Sequence, residues 1–564
     1  MQASDGAEIH YRAWAPKQPT KRAVLLFHRG HEHSGRWRET VDRLALDDAW
    51  IFAWDARGHG KSSGARGDAP DMGRLLLDAD EFSRHLEREH GVSLEQSVVI
   101  AHSVGAVIAA AWVHDFAPPI RGMALVTPAF RVKLYVPFAI PALRVRERLL
   151  GPGNVKSYVK SRVLTHDPVE RAAYNADSMI FRQISVRVLL DLFDTSTRLL
   201  ADAGAITTPT MVIGAGSDWV VRVSAQRAFV DKLGSSVKSF EVMPNAYHAL
   251  FHETCRGDVV SRLRDFVRAR FEERVDRSAL LEADRRGFTR EEFERLSKPG
   301  GVMYAPARFF LRTLGRLSHG IDLGWKSGFD SGLSLDHVYE NAPSGRTPLG
   351  RFIDRQYLNS IGWRGIRVRR MHLESLLSEA IEATRRERRP GHLVDIATGA
   401  GRYVLETLRS VRAAEFTALL RDNCRANLDA AKAHAERLGV PGVRFEVGDA
   451  FDEASLAALR PAPAIAIVSG LYELFPSNEP VRRSLRGLAS ALQPGARLIY
   501  TNQPWHPQVE FIARVLVNRE GEPWVMRRRS QAEMDELVRD AGFEKSTQRI
   551  DRWGIFSVCV ARRR

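Results

Sequence analysis

A serine, an aspartate and a histidine follow one another along the first half of this chain, each just past a short apolar run. Ser103 sits in Val98-Val99-Ile100-Ala101-His102-Ser103-Val104-Gly105-Ala106, Asp218 in Gly216-Ser217-Asp218, and His248 in Tyr247-His248. A serine hydroxyl becomes a nucleophile when a histidine takes its proton, and an acid fixes that histidine's tautomer. The β-branched run into a small-His-Ser-Val-Gly turn and then an Ala-rich stretch is what this chemistry needs. A sharp strand-to-helix turn lifts Oγ clear of the sheet, and the helix start offers free N–H groups to a developing oxyanion. The segment His28-Arg29-Gly30-His31-Glu32-His33-Ser34 follows an earlier strand, where a second oxyanion donor belongs.

The second half carries a different set. Leu393-Val394-Asp395-Ile396-Ala397-Thr398-Gly399-Ala400-Gly401 is an apolar strand running into a glycine turn. Glycines let a ligand approach the backbone closely. Two close glycines without a third at dinucleotide spacing argue against a pyrophosphate fingerprint. Asp395 at the strand end suits a cationic group such as the amino group of a methionine moiety. Asp422, one strand–helix–strand unit later, stands where an acid bonds ribose hydroxyls, and Asp449-Ala450 at the third strand end can accept from an adenine amino group.

The elements that must position these residues alternate. Strands are expected at 9–14, 23–27, 50–54, 97–101, 122–126, 210–214 and 239–243, with helical periodicity at 72–89 and 104–116. That is an α/β pattern with a mostly parallel sheet covered on both faces. Residues 128–205 break the rhythm as an insertion. Alternation resumes from Gly391, with strands expected at 393–397, 416–420, 443–447, 464–469 and 496–501 and a closing hairpin, 544–550 with 554–561. The reading is therefore three segments: 1–270, a helical linker at 271–345, and 346–564.

Residues 1–270 resemble the α/β-hydrolase superfamily, close to its monoacylglycerol lipase and lysophospholipase group. The resemblance implies Ser103 as nucleophile, His248 as general base and then acid, Asp218 orienting the imidazole, and Gly30 and Val104 as backbone oxyanion donors. It also implies a small-molecule or lipid acyl ester as substrate. Ala101, Arg29 and His31 replace glycines of the family pattern. His33, His59 and His252 are read as structural. The insertion holds an apolar run interrupted by proline, Phe130 to Leu143, read as a lid over an acyl site.

From Gly391 the chain resembles class I S-adenosylmethionine-dependent methyltransferases, a Rossmann-like fold that ends in an antiparallel hairpin; Ala397 replaces the first glycine of the usual pattern. From Arg346 onward it resembles a bacterial methyltransferase family often fused to a hydrolase, on Ser469-Gly470-Leu471-Tyr472-Glu473-Leu474-Phe475 and Asn502-Gln503-Pro504-Trp505-His506-Pro507-Gln508. The resemblance implies S-adenosylmethionine bound by Asp395, Ala397, Gly399, Gly401, Asp422, Asp449 and Ala450, and an unknown acceptor. Tyr472, Glu473, Trp505 and His506 are candidates for the acceptor pocket, with helix capping and packing as the alternative role. Asn502-Gln503-Pro504-Trp505 follows the wrong strand for an amino-group methylation motif, so a nucleic-acid base is not expected. Arg346, Arg351, Arg355, Arg364, Arg367, Arg369 and Arg370 form either a phosphate-recognising cap or a solvated helical face.

Composition sets limits. The apolar fraction of 44% and charged fraction of 27% exclude a largely disordered or fibrous chain, and 564 residues suit two large domains. The net charge of +15 is diffuse, with 36 Lys and Arg against 30 Asp and Glu in 1–270 and 47 against 38 in the rest. Three distant cysteines, Cys255, Cys424 and Cys559, give no disulfide framework or zinc site. No spanning segment or secretory signal is visible, so the expected compartment is the cytoplasm. A basic segment, Ala305–Leu317, sets Phe309, Phe310, Leu314 and Leu317 beside Arg308, Arg312 and Arg316, a pattern for peripheral contact with an anionic membrane. Against the competing class of function, non-catalytic modules in a lipid-associated assembly, the complete serine–acid–histidine set argues for the first half; for the second half a transfer assay discriminates.

Overall fold

The computed structural model describes all 564 residues, Met1–Arg564. They form two compact units, Met1–Asp276 and Arg277–Arg564. The strands of the first unit are β1 (Tyr11–Trp14), β2 (Ala23–Phe27), β3 (Trp50–Trp54), β4 (Ser97–His102), β5 (Gly122–Val126), β6 (Asn154–Lys156), β7 (Gln183–Ser185), β8 (Thr210–Ala215) and β9 (Lys238–Met243). Seven of them make one sheet in the order β1-β3-β2-β4-β5-β8-β9, parallel except for β1. Its central strands read Ala-Val-Leu-Leu-Phe, Ser-Val-Val-Ile-Ala-His and Gly-Met-Ala-Leu-Val and are buried throughout, as strands covered on both faces must be. The helix Val104–Phe116 leaves the end of β4 so close to β2 that a Cβ on Gly105 would lie 2.7 Å from the Phe27 carbonyl oxygen. Glycine is the residue that fits there.

The insertion contains the helices Ala139–Leu150, Pro168–Ala176 and Val186–Asp202 and the β6–β7 ribbon. Phe130 at its start belongs to the core, 4.3 Å from the Phe229 ring, but Tyr135, Val136 and Phe138 are exposed and Ala139–Leu150 buries no residue. The helix Val186–Asp202 supplies the apolar packing, burying Val186, Val188, Leu190, Leu192 and Leu199, and polar contacts add to it. Lys133 Nζ donates to the Asp218 carbonyl at 2.5 Å and the Tyr135 hydroxyl to the Trp219 carbonyl at 2.6 Å. At its other end Glu170 meets Arg36 at 2.9 Å and His252 at 3.1 Å, and Asp177 meets His33 at 2.9 Å.

In the second unit the strands are β10 (His392–Asp395), β11 (Thr417–Asp422), β12 (Val443–Val447), β13 (Ile465–Val468), β14 (Arg497–Asn502), β15 (Phe543–Ile550) and β16 (Ser557–Arg563). The sheet order is β12-β11-β10-β13-β14-β16-β15. Its first five strands are parallel, and β16 is antiparallel to both β14 and β15, so the closing hairpin inserts the last strand into the sheet. Strand order reverses at β10, which opens a crevice at its carboxyl end.

Residues 277–345 are not a separate linker. They are part of the second unit, with helices Phe288–Ser297, Ala305–Arg312, His319–Ser327 and Gly332–Glu340 among others. Leu296 is buried against Val509 and Ala513, and Glu292 pairs with the buried Arg528 at 2.7 Å. A charged, glycine-rich composition hid these contacts because they are made with residues some two hundred positions away. The expected single helix at 305–317 breaks at Thr313 and continues as a short 3-10 turn. No helix of the chain is long and apolar enough to cross a membrane.

Asp354, fully buried in the helix Pro348–Leu358, ties part of this region together. It accepts from Ser318 Oγ at 2.6 Å, the Gly320 and Ser344 N–H groups at 2.9 Å each, and His337 Nε2 at 3.0 Å. Burial alone would raise its pKa, but these donors outweigh it and hold the carboxyl below its usual range. Asp354→Ala strands several buried donors, and we expect it to lower the unfolding free energy by about 3 kcal/mol. Denaturant unfolding of the full chain measures this. A loss below about 1 kcal/mol would mean that apolar packing alone holds residues 318–344.

Candidate active sites

Ser103 caps the helix Val104–Phe116 with φ 54° and ψ −112°, a strained conformation for a non-glycine residue. The Ser103 N–H donates to the Val126 carbonyl at 2.9 Å, and the Ala129 N–H donates back to the Ser103 carbonyl at 3.1 Å, so neighbouring backbone fixes the turn. His248 Nε2 lies 2.8 Å from Ser103 Oγ, and its Nδ1 lies 2.8 Å from Asp218 Oδ2. The other Asp218 oxygen accepts the Val220 and Val221 N–H groups at 2.7 and 2.9 Å. Thr127 Oγ1 donates to the His248 carbonyl at 3.0 Å and anchors the loop that carries the imidazole. The three residues expected from sequence thus form one hydrogen-bonded chain.

Gly30 and Val104 are brought side by side: a Cβ on Gly30 would lie 3.1 Å from Val104 Cγ2. The two glycine replacements are accommodated differently. His31 takes the left-handed conformation itself, φ 70°, and its Nε2 reaches Ser157 Oγ in the insertion at 3.1 Å. Burial, with Arg29 nearby, lowers its pKa to about 4. Arg29 is buried, 3.0 Å from Glu32 and 5.1 Å above the Tyr174 ring. His28 is buried and His59 half-buried, each bonding backbone, and His252 lies in a short 3-10 turn.

The second unit encloses a cavity of about 940 Å³ at the carboxyl ends of its parallel strands. Ala397, Gly399, Gly401, Asp422, Asp449 and Ala450 all line it. Gly399 has φ 55°, and a Cβ there would meet nothing within 4 Å, so its backbone faces open space. Asp422 accepts the Gly399 N–H at 2.9 Å and the Cys424 N–H at 2.9 Å, which ties the glycine turn to the end of β11. Phe451 and Phe475 form an edge-on aromatic pair 4.6 Å apart next to Asp449 and also line the cavity. A glycine cradle, a carboxylate at the next strand end and an aromatic wall beside an acid fit an adenosyl ligand with an amino-acid tail.

Three expected site residues lie elsewhere. Asp395 is fully buried behind the turn, where it accepts the Ala397 N–H at 3.2 Å and the Tyr403 hydroxyl. It does not line the cavity, so its part is to hold the turn rather than to meet a ligand. Tyr472 is a core residue, with its hydroxyl on Ser484 Oγ at 2.9 Å. Trp505 packs in an apolar cluster with the Arg528 guanidinium 5.5 Å above its ring. Glu473 and His506 do line the cavity. Burial, with Arg528 nearby, lowers the His506 pKa to about 3, so its imidazole is neutral. Of the seven clustered arginines, Arg369 alone lines the cavity, 3.6 Å from Glu473, which leaves no phosphate-recognising cap.

The buried run Arg527-Arg528-Arg529 was not singled out from sequence. Arg529 donates to the carbonyls of Tyr472, Phe475 and Ser477 at 2.5, 2.7 and 2.7 Å and so shapes the loop that carries Glu473. Three consecutive arginines just before the helix Gln531–Asp540 were the available signal.

The fold and these sites define a lipase- or esterase-like α/β-hydrolase joined to a methyltransferase unit. The family model described as "Putative methyltransferase" matches residues 263–563, just over half of the chain, and the one described as "Serine aminopeptidase, S33" matches 18–255. The chain belongs to the methyltransferase family of the first description. It is 48% identical over 570 residues to the uncharacterized protein YnbC of Escherichia coli (strain K12), covering 100% of this chain and 97% of that one. A monoacylglycerol lipase of Mycolicibacterium smegmatis is 26% identical over 44% of this chain and 88% of its own length. The solved monoacylglycerol lipase of Paleococcus ferrophilus aligns with 47% of this chain and 99% of its own at 21% identity, TM-score 0.43.

Burial lifts the Asp395 carboxyl from 3.8 to about 7. An acid whose folded pKa is raised keeps its proton when folded while the unfolded chain has lost it, so stability falls as pH rises between those two values. Asp395→Asn mimics the protonated acid. We expect the variant to gain about 2–3 kcal/mol relative to the parent chain between about pH 5 and about pH 8. Denaturant unfolding at both pH values checks this, and a difference independent of pH would show that Asp395 is charged when folded.

Proposed function

We propose that the first unit is a serine hydrolase cleaving an acyl ester of the monoacylglycerol or lysophospholipid type. The observation that carries this reading is the unbroken chain from Ser103 Oγ through His248 to Asp218 at 2.8 Å per link. Ser103 Oγ attacks the ester carbonyl while its proton passes to His248 Nε2. The Gly30 and Val104 N–H groups receive the oxyanion, and His248 returns the proton to the leaving alcohol. Water repeats the cycle on the acyl-enzyme. The ester preference leans on the names of the lipase relatives, since the matched model's description names a peptidase.

The second unit, on this reading, is an S-adenosylmethionine-dependent methyltransferase. Backbone at Ala397–Gly401 receives the methionine end, Asp422 the ribose hydroxyls, and Asp449 with Ala450 the adenine; Asp395 and Tyr403 brace the turn from behind. Nucleic acid is not among the partners we propose.

The protein also rests on an anionic membrane without spanning it. Val302, Met303, Phe309 and Leu314, spread over the helix Ala305–Arg312 and the 3-10 turns on either side of it, are more than half exposed, and Phe310 next to Phe309 lines the cavity. Arg308 and Arg312 flank them, whereas Arg316 pairs with Asp322 at 2.8 Å. The Arg312 guanidinium stacks 5.0 Å from the Trp325 ring, and neither Arg308 nor Arg312 has an acidic partner; apolar side chains beside such cations complement anionic headgroups.

A fluorophosphonate probe should label the full chain at Ser103. Ser103→Ala should abolish labelling and ester turnover, and Asp218→Asn should cut turnover about 10⁴-fold. Labelling that survives Ser103→Ala rejects the assignment. Calorimetry should show S-adenosylhomocysteine binding to the same chain without competition from NAD, and Gly399→Val should weaken it at least about tenfold by filling the cradle. Absence of binding to the folded parent chain rejects the methyltransferase reading. The chain should sediment with anionic vesicles at low salt, less so with salt or after Arg308 and Arg312 become Gln, and not with neutral vesicles. Pelleting that ignores these changes rejects the surface contact.

A further inference from the structure

The cavity of the second unit is at the upper end of what one drug-sized ligand occupies. The glycine turn and the strand-end acids account for one side of it. The lining also holds an apolar set contributed by other elements, with Phe310, Leu311, Ile321, Phe329, Leu335 and Phe511 among its residues. Glu473 lies on the same surface, and its side chain is 8% exposed.

Its geometry is fixed from three sides. Thr501 Oγ1 accepts the Gly470 N–H at 2.8 Å and donates to Glu473 Oε1 at 2.8 Å. The Arg369 guanidinium lies 3.6 Å from that same oxygen. Arg529 holds the carbonyls on both sides of the loop. Glu473 Oε2 is left buried with no hydrogen-bond partner, and so is Gln503 Nε2 in the same cavity lining. An acceptor and a donor left unpaired in two residues that line one cavity are each costly unless a ligand completes them.

Charge narrows the ligand. The lining holds six acids, Asp330, Asp336, Asp422, Asp449, Glu473 and Glu520, against three arginines. Each arginine is paired: Arg369 with Glu473, Arg402 with Asp336 at 2.7 Å, and Arg519 with Asp330 at 3.2 Å. No cation is left over for a phosphate or carboxylate on a second ligand beyond the one the glycine turn receives.

Resting on the methyl-transfer reading above, we propose that Glu473 binds and deprotonates the methyl acceptor, and that this acceptor is a non-anionic, largely apolar molecule carrying one O–H or N–H group. The acceptor donates that hydrogen to Glu473 Oε2 and accepts from Gln503 Nε2, while its body lies along the apolar part of the lining. As its heteroatom bonds to the methyl carbon, the bond from that carbon to the donor's sulfonium sulfur breaks and the acceptor's proton passes to Glu473 Oε2. The proton then returns to solvent when the methylated product leaves.

The test uses the full chain saturated with S-adenosylhomocysteine and two probes that differ in one group, 4-octylphenol and octylbenzene. Calorimetry should find the phenol bound at least about tenfold more tightly. Glu473→Gln should bring the two probes to within about twofold of each other while octylbenzene binds as before. Glu473→Asp keeps a charge for Arg369 but draws the carboxylate back, and it should give the same loss if the Gln variant does not fold. Equal binding of the two probes by the parent chain, or a preference that survives both substitutions, overturns the proposal. If S-adenosylhomocysteine itself fails to bind, the methyltransferase reading falls and this inference with it. If it binds and only the phenol preference is missing, Glu473 and the acceptor class alone are wrong.

Discussion

A parallel strand that gives way to a helix within a few residues drives the connecting backbone into positive φ, and the chemistry of both units hangs on that constraint. At the end of β4 the residue in that conformation is Ser103, at φ 54°. The strain is worth of the order of 1–3 kcal/mol, and it is held by hydrogen bonds to Val126 and Ala129 and by a helix that starts hard against β2 at Gly105. The gain is an oxygen raised above the sheet beside its base. At the end of β10 the same topological demand falls on Gly399 and Gly401, at φ 55° and 67°. Glycine meets it without strain, and the missing side chain becomes room for a ligand.

The supports of the two sites differ in kind. Around Ser103 the strands are apolar, and the buried polar contacts lie in the loops beside them, where Arg29 meets Glu32 and His28 bonds backbone. Around Glu473 the support is polar and buried: Arg529 on three carbonyls, Arg527 on Glu533 at 2.7 Å, Arg528 on Glu292. Buried guanidinium groups are costly unless most of their donors find acceptors, and in this run Arg527 Nε is the donor left without one. That requirement fixes the loop more tightly than apolar packing would, and it is also what draws residues 277–345 into the second unit.

Much of the fold was legible because its signals are local. The strands at 23–27, 50–54, 122–126 and 443–447 fall where continuous or alternating apolar runs put them, and the closing hairpin follows from two β-rich segments separated by a turn. The triad was legible for a related reason. Each member sits at a strand end, and strand ends are marked in sequence by the switch from apolar run to small or polar residues. Asp395 was expected at the ligand but lies behind the turn, and for Tyr472 and Trp505 the structure takes the packing alternative, because sequence position says which end of a strand a residue occupies but not whether its side chain points outward or back into the core.

The sequence by itself determined the two α/β units, the order of the chemical groups along them, and the glycine positions at their turns, since these depend on periodicity and backbone preference within a dozen residues. Tertiary structure alone decided which of those groups meet. Ser103 and His248 are 145 residues apart and touch because β4 and the loop after β9 end on the same edge of one sheet. Arg369 reaches Glu473 from a helix a hundred residues upstream. The difference is physical: a hydrogen bond or an ion pair is set by distances of a few ångströms in space, and chain connectivity fixes such distances only for near neighbours.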